Sequence, residues 1–174
     1  MAPSVPKRQH PVNIENASRS ARKAVTRTPA GDAFSGLVVQ VFRLNGVLTA
    51  AGDEMARPAG QTSARWQVLA AADHAPMTVA QIARALNLAR QSVQRVADLL
   101  VGDGLAAYVD NPGHRRAKLV ALTPAGRKAL RSIQAAQRVW ADEIGAQVGE
   151  AELVQANATL DRALRALASE RRRP

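Results

Sequence analysis

From Phe34 onward, apolar residues recur at steps of three and four positions, which is the spacing of one helix face. This stripe consists of Phe34, Leu37, Val38, Val41, Leu44 and Leu48. The segment Arg-Pro-Ala-Gly at 57–60 interrupts it, because proline and glycine break helices. We therefore predict one long helix before this segment and a second helix after it. The second helix has Thr62 as its cap and Trp66, Leu69 and Ala70 on its inner side.

Two shorter helices are predicted next, joined by a turn at Asn87-Leu88. The first begins with Thr-Val-Ala-Gln at 78–81, a capping box in which threonine caps the helix and glutamine reaches back. Its inward positions are Ile82, Ala83 and Leu86. The second runs from Ala89 to Asp103, with Gly104 as its left-handed end. Its predicted buried residues are Val93, Val96 and Leu100.

A hairpin and two long helices complete the pattern. The apolar segments Leu105–Val109 and Ala117–Leu122 flank a Pro-Gly loop, which predicts two strands and a hairpin. Thr123 and Pro124 then start a helix as its cap and first residue. Its apolar side carries Leu130, Ile133, Gln137, Trp140 and Ile144. The last helix, about 150–169, has an apolar seam at Leu153, Ala156, Leu160, Leu164 and Leu167, a heptad-like spacing that favours a partner helix.

These elements predict a mainly α fold with a small β-hairpin wing. The order of two short helices, a strand, a basic loop and a second strand is that of a winged helix-turn-helix. We predict a flexible basic arm at 1–30, an N-terminal dimerisation helix at 31–56 and a DNA-binding domain at 57–123. Two C-terminal dimerisation helices at 124–170 and a basic tail at 171–174 follow.

Charge supports a polyanionic partner because it is concentrated. The net charge is +10, of which 1–30 contribute +5 and 78–131 contribute +6. Residues 31–77 contribute −1, and 132–174 are neutral. Basic charge restricted to one module suits nucleic acid. The alternative, a generally basic soluble surface, would spread the charge along the chain.

Composition excludes several other classes. The 174 residues contain no cysteine, so a disulfide framework and a thiol redox switch are excluded. The three histidines show no metal-ligand spacing, and we expect no metal and no cofactor. No apolar run approaches the roughly 18 residues of a membrane span, and the N-terminus lacks a secretion signal. We therefore expect a soluble, cytoplasmic protein without membrane contact.

Enzymatic motifs are also absent from the sequence. The segment 102–107, Gly-Asp-Gly-Leu-Ala-Ala, imitates a dinucleotide fingerprint, but it closes a predicted helix where the fingerprint opens one. No phosphate loop, zinc-protease motif or nucleophile elbow occurs. We expect no catalytic residues and no enzymatic activity.

The predicted DNA-binding residues lie in two groups. The first turns of the second short helix supply Arg90, Gln91, Ser92, Gln94 and Arg95. Arginine can donate twice to guanine, and glutamine can pair with both edge atoms of adenine. The wing supplies His114, Arg115, Arg116 and Lys118 for the phosphate backbone or minor groove. The arm could add phosphate contacts through Arg19, Arg22, Lys23 and Arg27.

Two alternatives remain open at this point. Exposed polar residues occur on the solvated face of any helix, and basic loops and tails are common. A winged helix can also serve as a protein-interaction module or co-regulator without reading DNA. The location of the charge on the predicted DNA-binding module favours DNA.

Five segments resemble the MarR family of bacterial transcription regulators. They are Thr-Ser-Ala-Arg-Trp-Gln-Val-Leu at 62–69, Thr-Val-Ala-Gln-Ile-Ala at 78–83, Arg-Gln-Ser-Val-Gln-Arg at 90–95, Gly-Leu at 104–105 and Arg-Arg-Ala-Lys-Leu-Val-Ala-Leu-Thr-Pro-Ala-Gly at 115–126. The resemblance implies a homodimer with interlocking terminal helices, which binds a pseudo-palindromic operator. It also implies repression that is relieved by a ligand.

The resemblance also bears on the effector, and the sequence departs from the family pattern at two positions. The resemblance suggests a small aromatic or phenolic effector, such as an aromatic acid, in a pocket between the dimer helices and the DNA-binding module. Trp66 is the candidate pocket residue, with core packing as the alternative.

His114 stands where the family often has an aspartate before the wing arginines, and Ala89 where it often has a serine or threonine cap. These departures predict that the wing arginines are less rigidly held.

Overall fold

The computed structural model describes residues 27–114 and 116–170. Six α-helices span Pro29–Ala56 (α1), Ser63–Asp73 (α2), Val79–Ala85 (α3), Arg90–Gly102 (α4), Pro124–Val148 (α5) and Glu150–Glu170 (α6). A short 3-10 helix covers Arg57–Ala59. The strands are Met77–Thr78 (β1), Ala106–Val109 (β2) and Leu119–Leu122 (β3). The predicted mainly α fold with a small winged hairpin is confirmed.

The sheet has three antiparallel strands in the order β1-β3-β2. In the hairpin, Ala106 pairs with Leu122 and Val109 pairs with Leu119. Both hairpin strands are shorter than predicted, since pairing starts only at Ala106 and Leu119. Strand β1 was not predicted, because two residues are too few to show an alternating pattern. It forms because β3 offers a free edge, along which Met77 pairs with Val120.

Within residues 44–174, one apolar core holds α2, α3, α4, the sheet and the start of α5 together. The predicted inward residues Ile82, Ala83, Val93 and Leu100 are buried, as is Leu69. Leu86 and Val96 are half-buried and pack against this core. Ala97, which was not predicted, is fully buried in α4. Its small side chain suits a close approach to neighbouring helices.

The predicted helix starts are confirmed by their side-chain hydrogen bonds. The Thr62 hydroxyl accepts from the Arg65 amide at 3.3 Å, and the Thr123 hydroxyl from the Gly126 amide at 3.1 Å. Thr78 and Gln81 form both halves of the capping box. At the other end of α4, Gly104 has a φ of +70°, the predicted left-handed conformation.

Helix α1 begins earlier than its apolar stripe. The stripe placed its start near Phe34, and the domain boundary was set at 31, but the helix begins at Pro29. The Thr28 hydroxyl accepts from the Gly31 amide at 3.1 Å, so Thr28-Pro29 starts this helix much as Thr123-Pro124 starts α5. The two compact units of the chain are 1–43 and 44–174, so this start belongs to the first.

One helix in the described part of the chain meets a length and composition criterion for a membrane span. The stretch Pro29–Ala59 contains an 18-residue window with a mean hydropathy of 1.3, so it is long and apolar enough to cross a membrane by length and composition alone. Alanine, glycine, polar residues and Arg43 separate its larger apolar side chains, so no continuous apolar run marks it in the sequence. Length and composition are weak evidence for a span, since helices of soluble proteins satisfy the same criterion.

Helices α5 and α6 leave much apolar surface uncovered. None of the residues from Glu150 to Glu170 is buried, and Leu164 is 63% exposed. In α5, Leu130 and Ile133 are buried, whereas Ile144, at the far end of the same predicted side, is 39% exposed. The need for a partner helix along α6 stays a prediction.

Candidate nucleic-acid interface

Helix α4 presents its predicted DNA-binding residues at the surface. Arg90, Gln91, Ser92 and Arg95 are exposed, and Gln94 is half-buried. On the opposite side, Val93, Ala97 and Leu100 are buried in the core. This division keeps the polar face of the first two turns free while the apolar face fixes the helix.

An ion pair that the sequence did not predict secures the far end of α4. Asp103, the C-terminal cap residue, pairs with Arg65 of α2. The Arg65 side chain is 17% exposed and that of Asp103 is 54% exposed, so water partly screens this pair. The pair links α2 and α4 in addition to their apolar contacts.

The wing loop is organised by Asn111. Its Nδ2 donates to the Ala117 carbonyl at 3.0 Å, and its Oδ1 accepts from the Gly113 amide at 3.0 Å. The Ala117 amide in turn donates to the His114 carbonyl at 3.0 Å. The Asn-Pro-Gly sequence predicts a turn, but the hydrogen bond across the loop depends on the paired strands.

The predicted wing residues are exposed where the structure describes them. His114, Arg116 and Lys118 all lie at the surface. Arg115 lies outside the described residues, as do Arg19, Arg22 and Lys23 of the arm and the tail at 171–174. Arg27 lies 4.0 Å from Asp32 in an exposed ion pair.

A cleft of about 250 Å³ lies between the start of α4 and the wing. Arg90 and Gln94 line it from α4, and Arg116 and Lys118 line it from the wing. The remaining lining residues are Thr78, Val79, Ala80, Tyr108 and Ala117, so the described wall carries three cationic side chains and no acidic one. The structure thus brings predicted residues from both groups to one electropositive surface.

Arg95 and Gln91 lie on a neighbouring surface of α4. They line a shallow depression together with Arg90, Gln94 and Asp98. Ser92 is exposed and contributes to neither depression. Helix α4 therefore offers one side that faces the wing and one that does not.

Two functional candidates were missed by the sequence analysis, namely Tyr108 and Asp98. The Tyr108 hydroxyl donates to Asp98 Oδ1 at 2.5 Å. Gln94 Nε2 donates to the same carboxylate oxygen at 2.9 Å and to the Tyr108 oxygen at 2.7 Å. Asp98 follows Gln94 by four positions on a helix, which is a recognisable signal. Tyr108 comes from β2, and nothing local connects it to α4.

The electrostatic setting keeps the tyrosine protonated. Burial of the phenol, together with its hydrogen bond to Asp98 and the negative charge of that carboxylate, raises the pKa of Tyr108 to about 12. The hydroxyl therefore retains its proton near neutral pH and acts as a donor to Asp98.

A separate cavity of about 370 Å³ lies in the unit formed by residues 44–174. Trp66 lines it and also packs against the core, and Trp140, which the sequence placed on an apolar helix side, lines it as well. The rest of the wall is Leu48, Met55, Ser63, Gln67, Ala70, Ala71, Leu86 and Gln137. These described lining residues include amides but no charged side chain.

The described residues contain no cluster of side chains suited to a metal ion. Among residues 27–114 and 116–170, no three histidine, aspartate or glutamate side chains come together in an arrangement that could hold a metal ion.

Comparison with known proteins places this arrangement in a family. The family model described as MarR family matches residues 59–117, the stretch that contains α2, α3, α4 and most of the wing. The chain belongs to the MarR family. An uncharacterised protein of Mycobacterium tuberculosis is 40% identical over 140 residues, covering 80% of this chain and 98% of the relative.

Two solved structures extend the match. The M. tuberculosis transcriptional regulator MosR, solved in complex with DNA, is 26% identical, with a TM-score of 0.62 over 75% of this chain and 96% of that one. CouR from Rhodococcus jostii, bound to p-coumaroyl-CoA, is 21% identical, with a TM-score of 0.64 over 71% and 88%. This MarR-family chain therefore has the winged-helix fold of DNA-binding transcription regulators.

Proposed function

We propose that this MarR-family protein is a homodimer that binds a pseudo-palindromic operator and represses transcription until a small molecule releases it. Helix α4 would enter the major groove, and the wing would contact the adjacent backbone. In this account 57–123 are the DNA-binding domain, while 31–56 and 124–170 supply dimerisation helices. Such a regulator would act in the cytoplasm.

The observation that carries the DNA-binding proposal is the cationic cleft. Arg90 of α4 and Arg116 and Lys118 of the wing line one concave surface, and no acidic residue is among its described lining residues. The nearby Asp98 is hydrogen-bonded to Gln94 and Tyr108. A phosphate group beside the first turn of α4 would meet all three positive charges. The same placement supports a backbone role for Arg90, which the sequence alone assigned to base recognition.

Substitution of one wing residue and one α4 residue tests the proposed roles in backbone contact and base recognition. Arg116→Ala removes a phosphate contact, so we expect weaker binding to all duplexes and a log–log salt slope about one unit shallower. Gln91→Ala removes a base contact, so we expect a loss of about 1–3 kcal/mol on the operator and little on random DNA. Both affinities are measured by filter retention at several salt concentrations.

The control is Arg162→Ala, which removes an exposed arginine of α6 that donates to Thr159. Its affinity and salt slope should equal those of the unchanged protein. Failure of the unchanged protein to retain any duplex would favour a protein-interaction module. Equal losses on operator and random DNA for Gln91→Ala would show that Gln91 is not a base-recognition residue.

The homodimer proposal rests on exposed apolar side chains along the long helices. In α6 the exposed residues include Leu164 and Leu167, and in α5 they include Val139 and Ile144. The second unit also exposes Val47 and Leu48 of α1. Exposed apolar side chains that form a contiguous patch mark an interaction site, and a second copy of the chain would cover these residues in the proposed dimer.

The effector proposal rests on the cavity beside α2. Its volume of about 370 Å³ lies within the range of about 300–1,000 Å³ for small-molecule sites. Apolar walls with Gln67 and Gln137 suit an aromatic ring with a neutral polar group, such as a phenol. An isolated carboxylate suits it less, because no described lining residue is a cation. That CouR is bound to p-coumaroyl-CoA supports a phenolic compound.

Intrinsic fluorescence tests the effector proposal directly. Both tryptophans of the chain, Trp66 and Trp140, line the cavity, so a phenolic ligand should change the emission saturably. Trp66→Phe should retain part of this change through Trp140. A library of simple phenols and aromatic acids that alters neither emission nor DNA affinity would contradict an effector site here.

A further inference from the structure

The hydrogen bonds around Gln94 determine which of its polar atoms is available to DNA. Its Nε2 donates to Asp98 Oδ1 at 2.9 Å and to the Tyr108 oxygen at 2.7 Å. A primary amide nitrogen only donates, and this one has both Asp98 and Tyr108 as acceptors. Within the described part of the chain, no group donates to Oε1 of Gln94.

The orientation of the Gln94 amide follows from the chemistry of its neighbours. An ionised carboxylate only accepts hydrogen bonds, so the NH₂ end of the amide must face Asp98. The single Tyr108 proton is donated to Asp98, which leaves the phenol oxygen as an acceptor for Gln94. The raised pKa of Tyr108, about 12, keeps that proton in place at neutral pH. In this set of three side chains, Gln94 donates to Tyr108 and to Asp98, and Tyr108 donates to Asp98.

This orientation changes what Gln94 can recognise. A glutamine that pairs with both edge atoms of adenine must donate to N7 and accept from the N6 amino group. Here the amide nitrogen is bonded to Asp98 and Tyr108, so the carbonyl oxygen is the polar atom without a partner among the described residues. In the major groove, the groups that donate to such an acceptor are the amino groups of adenine and cytosine.

We propose that Tyr108 and Asp98 hold Gln94 as a hydrogen-bond acceptor, so that Gln94 selects a base with a major-groove amino group. Tyr108 is then a positioning residue that determines specificity from the wing strand. This inference rests on the proposed entry of α4 into the major groove. It is supported by Gln94 lining both depressions beside α4.

Tyr108→Phe is the decisive variant, because it keeps the packed ring and removes only the hydroxyl. Affinities are measured for an operator series that carries each of the four bases at every half-site position. The position that Gln94 contacts is the one at which Gln94→Ala abolishes the preference among the four bases. There the unchanged protein should favour adenine or cytosine over guanine and thymine by about fivefold or more. Tyr108→Phe frees one amide hydrogen, so the preference there should fall below about twofold while the other positions keep theirs.

A second comparison separates this role from a structural one. In the double variant Tyr108→Phe with Gln94→Ala, base preferences should equal those of Gln94→Ala alone, since Tyr108 acts through Gln94. Arg162→Ala, outside the set, should keep every preference. Tyr108 is the only tyrosine of the sequence, so tyrosinate absorbance reports on it alone. Asp98→Asn should lower the pKa of Tyr108, because the Asp98 carboxylate raises it.

Three outcomes would overturn the inference while leaving DNA binding intact. They are a preference for guanine or thymine at the Gln94-dependent position, unchanged preferences in Tyr108→Phe, and no position that depends on Gln94. If the unchanged protein binds no duplex, the proposed function fails as well, and the two failures are thereby distinguished.

Discussion

Gly126→Ala is expected to destabilise the folded protein by about 3 kcal/mol or more. A Cβ at this position would lie 2.0 Å from the carbonyl oxygen of Leu105. That oxygen cannot move freely, because it accepts from the Thr123 amide at 3.1 Å and from the Thr123 hydroxyl at 3.2 Å. Relief of the overlap must separate the residue before β2 from the start of α5. Urea denaturation followed by circular dichroism measures the loss.

Gly145→Ala is the matched control in the same helix. No atom lies within 4 Å of a Cβ built there, and alanine is favoured over glycine in a helix interior by about 1 kcal/mol. This variant should be as stable as the unchanged protein or slightly more stable. Equal stability of the two variants would contradict the close contact between Gly126 and Leu105.

Leu164→Glu is expected to convert the dimer to a monomer and to weaken binding to a two-site operator by about 100-fold or more. Leu164 is 63% exposed in the single chain, so its replacement costs little there. In the proposed dimer, the new carboxylate would be buried among apolar side chains of the partner, which is strongly unfavourable. Sedimentation velocity gives the oligomeric state, and titration of operator DNA gives the affinity.

The control is Gln155→Glu, which adds the same charge to an exposed position of α6 outside its apolar seam. It should remain dimeric and bind as the unchanged protein does. A dimeric Leu164→Glu variant with undiminished operator affinity would show that α6 does not form the interface at this point.

Local signals in the sequence predicted much of this fold. Thr62, Thr78 and Thr123 cap helices because a threonine before an apolar periodic segment can satisfy free amides within three residues. Gly104 takes its left-handed conformation for an equally local reason. The five exposed or half-exposed α4 residues were also predictable, since their apolar neighbours fix which face is buried.

Features that depend on residues distant in the chain were not predictable. Strand β1 exists only because Met77 meets Val120, more than forty positions later. Tyr108 reaches Gln94 because β2 packs on α4. The residues near Gln94 in the sequence therefore do not show that its amide nitrogen is hydrogen-bonded to Tyr108. Trp140 lines the cavity because α5 passes near α2, whereas helical spacing alone places it on an apolar side.

Selection of bound duplexes from a random-sequence pool tests the central claim most directly. If α4 enters the major groove and the wing arginine and lysine hold the backbone, the retained DNA should contain an inverted repeat. Its half-sites should lie about 10 base pairs apart, centre to centre, as for a symmetric pair of recognition helices. Recovery of no duplex above background, even in dilute buffer, would contradict the account.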